Sequence, residues 1–256
     1  MSQLREIRPN LWICESSSSE IQVRSALVVG EKRAVVWDTL TQPEDVAPLA
    51  EAIENKPYYL IYSHADWDHV WGAAGFADGR LGLIGHAECH RRFGDDVPRA
   101  LQRMQLAELG KWESVRLVPP NLTFTSALSL DLGGIRLELH HTPGHTSDSI
   151  VGWIPAWGVL LGGDAIETPL PVVNQAKLVE GWLQALESWQ RVETLSHSIP
   201  SHGSLVGRES LDQTVAYLRA LSGDRQFNLP RKLDNFYRET HQKNLIVVDG
   251  GLDLNE

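Results

Sequence analysis

Four side chains that can bind a metal ion stand within residues 63–69. They are two histidines and two aspartates in close alternation: His64, Asp66, Asp68 and His69. Buried imidazoles and carboxylates must be paired or coordinated, so packing alone does not explain such a dense cluster. Three later residues, each close to a glycine, add further donors: His145, Asp164 and His202. Together these residue types predict a hydrolytic centre with two metal ions.

A centre of this kind needs about three protein ligands per metal, a bridging group and an open position for water. Residues 63–69 follow a strand-like run that ends at Tyr62. A curling loop at this point can aim successive side chains at both metals. We expect the remaining ligands on later loops at the same edge of the sheet. Gly144 and the glycines at 162–163 fit this expectation, because glycine lets the backbone bend close to an ion.

Hydrophobic periodicity predicts the elements that must position these donors. In the first part of the chain, strands are predicted at residues 11–14, 21–29, 34–37, 58–62 and 81–84. A helix is predicted at residues 43–54, and a short one begins at Asp68. Residues 87–114 are charged and mostly helical, and we interpret them as an insertion over one edge of the sheet.

The second part of the chain again combines strands and helices. Strands are predicted at residues 122–124, 128–132, 135–139, 150–154 and 159–161, and helices at about 177–194, 209–222 and from residue 230. Two β-rich halves with helices outside predict an α/β fold, a four-layer sandwich. No long linker divides the chain, so we expect a single domain over residues 1–256 with C-terminal helices at about 207–242.

The composition narrows the choice of partners. A formal net charge of -10 disfavours nucleic acid, because phosphate contacts need clustered lysine and arginine. No apolar run approaches the ~20 residues of a membrane-spanning helix, and the polar N-terminus lacks a signal-peptide core. Cys14 and Cys89 are expected to be reduced thiols. These features predict a cytoplasmic protein with a small-molecule substrate. Its oligomeric state stays open, with a homodimer as one alternative.

The order and spacing of the donors resemble the five motifs of the metallo-β-lactamase superfamily. The resemblance covers roughly residues 10–205 and rests on one combination of residues: His64-x-Asp66-x-Asp68-His69, His145, Asp164 and His202, with Asp38 upstream. It implies the four-layer αβ/βα sandwich with a metal site on its open edge, in agreement with the pattern of strands and helices.

The resemblance also implies a role for each donor. One metal is then held by His64, Asp66 and His145. The other is held by Asp68, His69 and His202, and Asp164 bridges the pair. Asp38 does not bind metal in this scheme; it contacts the ligands and holds in place the loop of residues 63–69, the motif loop. A hydroxide between the two cations is the expected nucleophile, and Asp68 orients it and later moves a proton.

Asp66 departs from the superfamily motif, which usually has histidine at this position. A carboxylate is a harder donor than imidazole and shifts preference from zinc toward iron or manganese. The change is similar to the flavodiiron branch, which has glutamate here together with a flavodoxin-like domain that this chain lacks. Zinc is the leading expectation for the two divalent ions, and iron or manganese is the alternative. A second alternative makes Asp66 an acid behind the ligands.

The resemblance implies a metal-dependent hydrolase acting on a small ester, lactone or thioester. The β-lactamases of the superfamily usually have cysteine or serine where this chain has Asp164, so a β-lactam is not the expected substrate. Three alternatives remain open. They are a phosphodiesterase, a non-haem iron oxidoreductase acting on oxygen, nitric oxide or sulfur compounds, and a metal-stabilised binding protein without turnover.

Overall fold

The computed structural model describes residues 2–16, 22–53, 55–76, 79–205, 207–224, 227, 229 and 233–254. The chain forms two compact units, Met1–Glu138 and Leu139–Glu256. Each unit has an apolar core of its own. Leu27, Val36 and Trp71 belong to the first core, and Trp182 and Leu211 belong to the second. A single domain over residues 1–256 stays a prediction.

The first unit is built on a sheet of seven strands in the order β1-β2-β3-β4-β5-β6-β7. The strands are β1 Gln3–Arg8, β2 Leu11–Ser16, β3 Val23–Val29, β4 Ala34–Trp37, β5 Tyr58–Ile61, β6 Arg80–His86 and β7 Leu122–Phe124. Strands β1 to β4 pair antiparallel, and β4 to β7 pair parallel. Parallel strands are covered on both faces and read as continuous apolar runs. Strand β4 fits this rule, since all of its residues are buried.

The parallel pairing of β4 and β5 positions the first group of donors. The register places Trp37 opposite Ile61, so the residues that follow the two strands emerge at the same edge of the sheet. The Asp38 N–H donates to the Ile61 carbonyl oxygen at 2.8 Å. The helices of this unit are α1 Ala47–Ile53 after a 3-10 turn Pro43–Val46, α2 Trp67–Val70 before a 3-10 turn Trp71–Gly75, α3 Ala87–Arg92 and α4 Asp96–Ala107.

A second sheet has five strands in the order β12-β11-β10-β9-β8. The strands are β8 Ala127–Asp131, β9 Arg136–His141, β10 Ile150–Ile154, β11 Val159–Gly163 and β12 His197–Pro200. Strands β10 and β11 pair antiparallel, whereas β11 and β12 pair parallel. The carboxyl ends of β11 and β12 therefore meet at one edge. The remaining helices are α5 Val179–Gln190, α6 Glu209–Arg219, extended by a π turn Ala220–Asp224, and α7 Asn235–Gly250.

Most of the predicted strands agree with the structure to within two residues, and those at 34–37, 122–124 and 150–154 coincide with β4, β7 and β10. Strands β1 and β12 were not predicted. Strand β1 is a partly exposed edge strand with a polar sequence, and β12 is a four-residue strand that contains histidine and proline. The predicted limits at residues 21, 54 and 230 lie outside the described residues.

The stretch interpreted as an insertion contains α3 and α4, which are separated by residues 93–95. The predicted helix at 177–194 is shorter in the structure, where α5 ends at Gln190. Across the residues that the structure describes, no helix is long and apolar enough to cross a bilayer.

Candidate metal centre

Asp38 makes hydrogen bonds that hold the donor residues of the first unit in place. It follows β4 in a left-handed backbone conformation with φ 61°, which aspartate adopts more readily than most residues. Its side chain is fully buried. One carboxylate oxygen accepts the Ser63 N–H at 2.7 Å, and the other accepts the Ser63 hydroxyl at 2.8 Å. The second oxygen also lies 2.9 Å from Nδ1 of His69. Asp38 thereby ties the motif loop to the end of the neighbouring strand.

These contacts set the tautomers of two histidines. The Asp38 carboxylate can only accept, so Nδ1 of His69 carries the proton and Nε2 keeps its lone pair. Ser63 gives its hydroxyl proton to Asp38. The hydroxyl therefore accepts from Nδ1 of His64, which lies 3.0 Å away. His64 also keeps a lone pair on Nε2, the state that a metal ligand requires.

Each of these histidines has a carboxylate oxygen near its Nε2 atom. Nε2 of His64 lies 3.5 Å from Oδ2 of Asp66, and Nε2 of His69 lies 3.6 Å from Oδ1 of Asp68. With neutral imidazoles both atoms of each pair are acceptors, and a metal cation between them makes the approach favourable. Two ligands of a tetrahedral ion with bonds of about 2.0–2.2 Å lie roughly 3.3–3.6 Å apart. The separations in this unit match that spacing.

Asp66 occupies the N-cap position of α2, but its side chain makes no capping hydrogen bond there. Its Oδ1 atom instead accepts from Nη2 of Arg92 at 2.7 Å, while Oδ2 faces His64. The carboxylate of Asp66 therefore contacts two side chains, Arg92 and His64, and does not cap the helix. Such a use differs from the common role of aspartate at a helix start.

The second unit collects its donors around Asp164. Asp164 directly follows β11, whose last residue Gly163 has φ 52°, and His202 follows β12. Oδ2 of Asp164 lies 3.4 Å from Nε2 of His202 and 3.7 Å from Nε2 of His145. One carboxylate oxygen of Asp164 thus lies close to the Nε2 atoms of two imidazoles.

The backbone holds His145. This residue lies in the loop between β9 and β10, and its Nδ1 atom donates to the Val172 carbonyl oxygen at 3.0 Å. Nε2 is consequently the ring nitrogen that faces Asp164. The preceding Gly144 is required by the packing of its neighbour. A Cβ atom there would lie 2.2 Å from the Trp182 ring, so close packing on the indole demands glycine.

A family model described as the metallo-beta-lactamase superfamily matches residues 19–210. The chain belongs to this superfamily. Its members are mainly metal-dependent hydrolases, and the histidine and aspartate groups described above indicate that this member binds divalent metal.

The curated relatives of this superfamily chain are distant. The metallo-beta-lactamase type 2 of Bacteroides fragilis is 29% identical over 101 residues, which cover 37% of this chain and 40% of that protein. The metallo-beta-lactamase type 2 of Bacillus cereus is 23% identical over 235 residues, covering 84% of this chain and 82% of the relative.

Solved structures confirm the α/β metallo-β-lactamase fold predicted from the sequence. FIM-1 from Pseudomonas aeruginosa in its mono-zinc form matches with a TM-score of 0.66 and 20% identity, covering 87% of this chain and 96% of that one. A metallo-beta-lactamase family protein from Thermus thermophilus matches with a TM-score of 0.68 and 18% identity, covering 86% of this chain and 81% of its own.

Sequence reasoning missed Glu167, three residues after Asp164 in this superfamily member. Its carboxylate is buried and accepts the Tyr237 hydroxyl at 2.9 Å and the Val172 N–H at 3.3 Å. Burial raises the pKa of Glu167 to about 7, and the nearby charge of Asp164 acts in the same direction. His202, His145 and the Tyr237 hydrogen bond lower the pKa and only partly offset burial. A sequence pattern cannot reveal the burial of Glu167, because buried and exposed glutamates look alike in a sequence.

Ser63 and Arg92 were missed as well. The hydroxyl of Ser63 links His64 to Asp38, and a serine beside a histidine carries no sign of this role in the sequence. Arg92 lies 26 residues from Asp66 in the sequence, and no local signal connects an arginine in a charged helix with a motif at that distance.

Proposed function

We propose that this protein is a metal-dependent hydrolase that binds two divalent cations and acts on a small ester, lactone or thioester. One observation carries the proposal. Three histidines each have Nδ1 within 3.0 Å of a hydrogen-bond partner, and the Nε2 atoms of all three lie 3.5–3.7 Å from a carboxylate oxygen. A metal ion turns each of these acceptor pairs into a favourable contact.

The proposed ligands follow the pairs seen within each unit. In the first unit, His64 pairs with Asp66, and His69 pairs with Asp68. In the second unit, His145 and His202 share Asp164. The ligand sets themselves are those that the superfamily resemblance implies, with His64, Asp66 and His145 for one cation, Asp68, His69 and His202 for the other, and Asp164 between them.

The bound cations would supply a water molecule of lowered pKa and would polarise the substrate oxygen. The chain's own residues do the rest. Asp38 and Ser63 hold His64 and His69 in the metal-binding tautomer. The Asp68 side chain, about 12% exposed, can orient the attacking water and pass a proton to the leaving group.

Zinc is the proposed metal, and the mono-zinc form of FIM-1 shows that a relative with this fold takes it. The carboxylate of Asp66 favours iron or manganese as the alternative. The same carboxylate supports a non-haem iron oxidoreductase as the second candidate function. The substrate is proposed to be a small molecule and not nucleic acid, because the net charge is -10. A cytoplasmic location is proposed because the two cysteines in the sequence, Cys14 and Cys89, cannot build a disulfide framework.

Metal analysis of the purified protein, combined with a substrate panel, tests the proposal. We expect about two equivalents of zinc in the wild type and the loss of metal in His64→Ala and in His202→Ala, one variant from each donor group. The panel contains an ester, a lactone, a thioester, a phosphodiester and a cephalosporin. Hydrolysis of one of the first three is expected, and both variants should lose it.

Two exposed or structural histidines provide matched controls. His90→Ala removes an imidazole from α3 that contacts the Pro120 carbonyl oxygen, and His197→Ala removes one from β12 that contacts Ser196. Both should keep their metal and their activity. Unchanged metal content in His64→Ala and His202→Ala would refute the metal centre. Bound iron with redox activity and no hydrolysis would replace the hydrolase with the oxidoreductase.

A further inference from the structure

Arg92 reaches the motif loop from the helical segment at residues 87–114. It is the last residue of α3, and its side chain is about 13% exposed. Nη2 of Arg92 donates to Oδ1 of Asp66 at 2.7 Å and to Oδ2 of Asp96 at 2.8 Å. Nε donates to the same Asp96 oxygen at 3.0 Å. The guanidinium is thus held between two carboxylates, one of which belongs to the motif.

The neighbouring Arg91 shows what an ordinary surface arginine does on the same helix. Its side chain is 60% exposed and pairs with Glu88, a contact three residues apart along the helix. Exposed pairs of this type contribute little to stability. Arg92 differs because it is mostly buried and because its partner Asp66 lies in another part of the chain.

Aromatic packing holds this segment against the motif. Trp112 is buried, and its ring lies edge-on to Trp67 at 5.7 Å and to Trp71 at 5.2 Å between centroids. Trp67 stands between Asp66 and Asp68 in the motif itself. The helical segment is therefore part of the surroundings of the donors, and Arg92 is placed by packing as well as by charge.

The contact has two consequences for Asp66. Oδ1 is occupied by Arg92, so the carboxylate is turned with Oδ2 toward Nε2 of His64, 3.5 Å away. The positive guanidinium also offsets the negative charge that aspartate brings to a position where the superfamily usually has neutral histidine. Arg92 also pairs with Asp96, so its charge is shared between two carboxylates and offsets that of Asp66 in part.

We infer that Arg92 is a positioning residue that makes Asp66 a one-oxygen metal ligand of reduced charge and so preserves a preference for zinc. The inference rests on the proposed function, because it presupposes that Asp66 binds metal. Without Arg92, Asp66 can turn both oxygens to a cation. A harder, two-oxygen donor favours manganese with its higher coordination number over tetrahedral zinc.

Equilibrium competition between zinc and manganese tests this without any activity measurement. Apoprotein is titrated in chelator-buffered zinc and manganese, and the bound metals are quantified by mass spectrometry. We expect the zinc-to-manganese affinity ratio of Arg92→Gln to fall about tenfold or more, since removal of a partner behind a ligand changes the affinity for a metal by about 10-fold to 100-fold. Arg92→Lys keeps the charge but not the planar fork, so its ratio should lie between those of Arg92→Gln and the wild type.

A double-mutant cycle separates positioning from simple structural support. In the Asp66→His background the donor is neutral, so adding Arg92→Gln should not lower the ratio. Arg91→Gln is the matched control for the same substitution at the adjacent position, and it should match the wild type. Unfolding of each apoprotein by guanidinium is followed in parallel to show that the variants are folded.

Two results would overturn the inference. One is a wild-type affinity ratio in a folded Arg92→Gln variant. The other is an equal fall in the ratio with and without Asp66→His, which would give Arg92 a structural role only. A wild-type protein that binds neither metal would instead refute the proposed function, so the two failures are distinguishable.

Discussion

The substitution Asp38→Asn tests whether the hydrogen bonds of Asp38 hold the histidines in the tautomer that binds metal. The substitution is nearly isosteric, and asparagine tolerates the left-handed backbone at φ 61° as aspartate does. Any effect therefore comes from exchanging one acceptor oxygen for an amide donor and from the loss of the carboxylate charge. Asp38 is fully buried, so water cannot replace what is lost.

The magnitude follows from the three contacts of the carboxylate, at 2.7, 2.8 and 2.9 Å. If the amide nitrogen faces the Ser63 N–H, two donors meet. If it faces the Ser63 hydroxyl and His69, the hydroxyl donates to His64 instead, and both imidazoles must move their proton to Nε2. Loss of one or two hydrogen bonds to a charged group predicts a free energy of unfolding lower by about 2–4 kcal/mol.

The same change predicts weaker metal binding, by about 10-fold to 100-fold for each affected histidine. Zinc affinity is measured by competition with a chromophoric chelator, and stability by guanidinium unfolding of the apoprotein. Nitrogen-15 chemical shifts of the imidazoles report the tautomers directly. Asp45→Asn is the matched control, because Asp45 is also buried in the first unit and accepts a hydrogen bond from Ser2 at 3.2 Å. A folded Asp38→Asn protein with wild-type zinc affinity would refute the tautomer argument.

Two further predictions concern the second unit. Gly144→Ala should lower the free energy of unfolding by about 1–3 kcal/mol, because its Cβ would lie 2.2 Å from the Trp182 ring; an unchanged denaturation midpoint would contradict the packing argument. Burial raises the pKa of Glu167 from 4.5 to about 7, so the stabilisation by its protonated form is complete below pH 4.5 and is lost as the pH rises through 7. The metal-free protein should lose up to about 3 kcal/mol over that range, and Glu167→Gln should remove this loss; identical stability–pH curves for the two proteins would contradict it.

The sequence predicted those features of the fold that depend on local patterns. Strand β4 is a continuous apolar run and was placed correctly, because buried parallel strands need such runs. The donors at strand ends could also be predicted, since parallel strands bring their carboxyl ends to the same edge. Strand β1 was missed, because a polar edge strand has no apolar run to mark it.

The parts of the site that escaped prediction depend on contacts between distant residues. Arg92 looks like a surface arginine in a charged helix, and only the fold brings it to Asp66. Glu167 carries no local sign that it is buried. The role of Ser63 depends on which neighbour takes its single proton, and this is a property of the assembled loop and not of the residue order.

His64, His69 and His145 are held in two different ways. His64 and His69 both depend on the side chain of Asp38, one through Ser63 and one directly. His145 depends on a main-chain carbonyl, that of Val172. A single substitution at Asp38 can therefore change the hydrogen bonding of both His64 and His69. A substitution at Ser63 can change that of His64 and leave the contact of His69 with Asp38 intact. No side-chain substitution removes the acceptor of His145. During divergence of this chain, point mutation can therefore change the side-chain contacts that orient His64 and His69, whereas the acceptor of His145 moves only with the loop backbone.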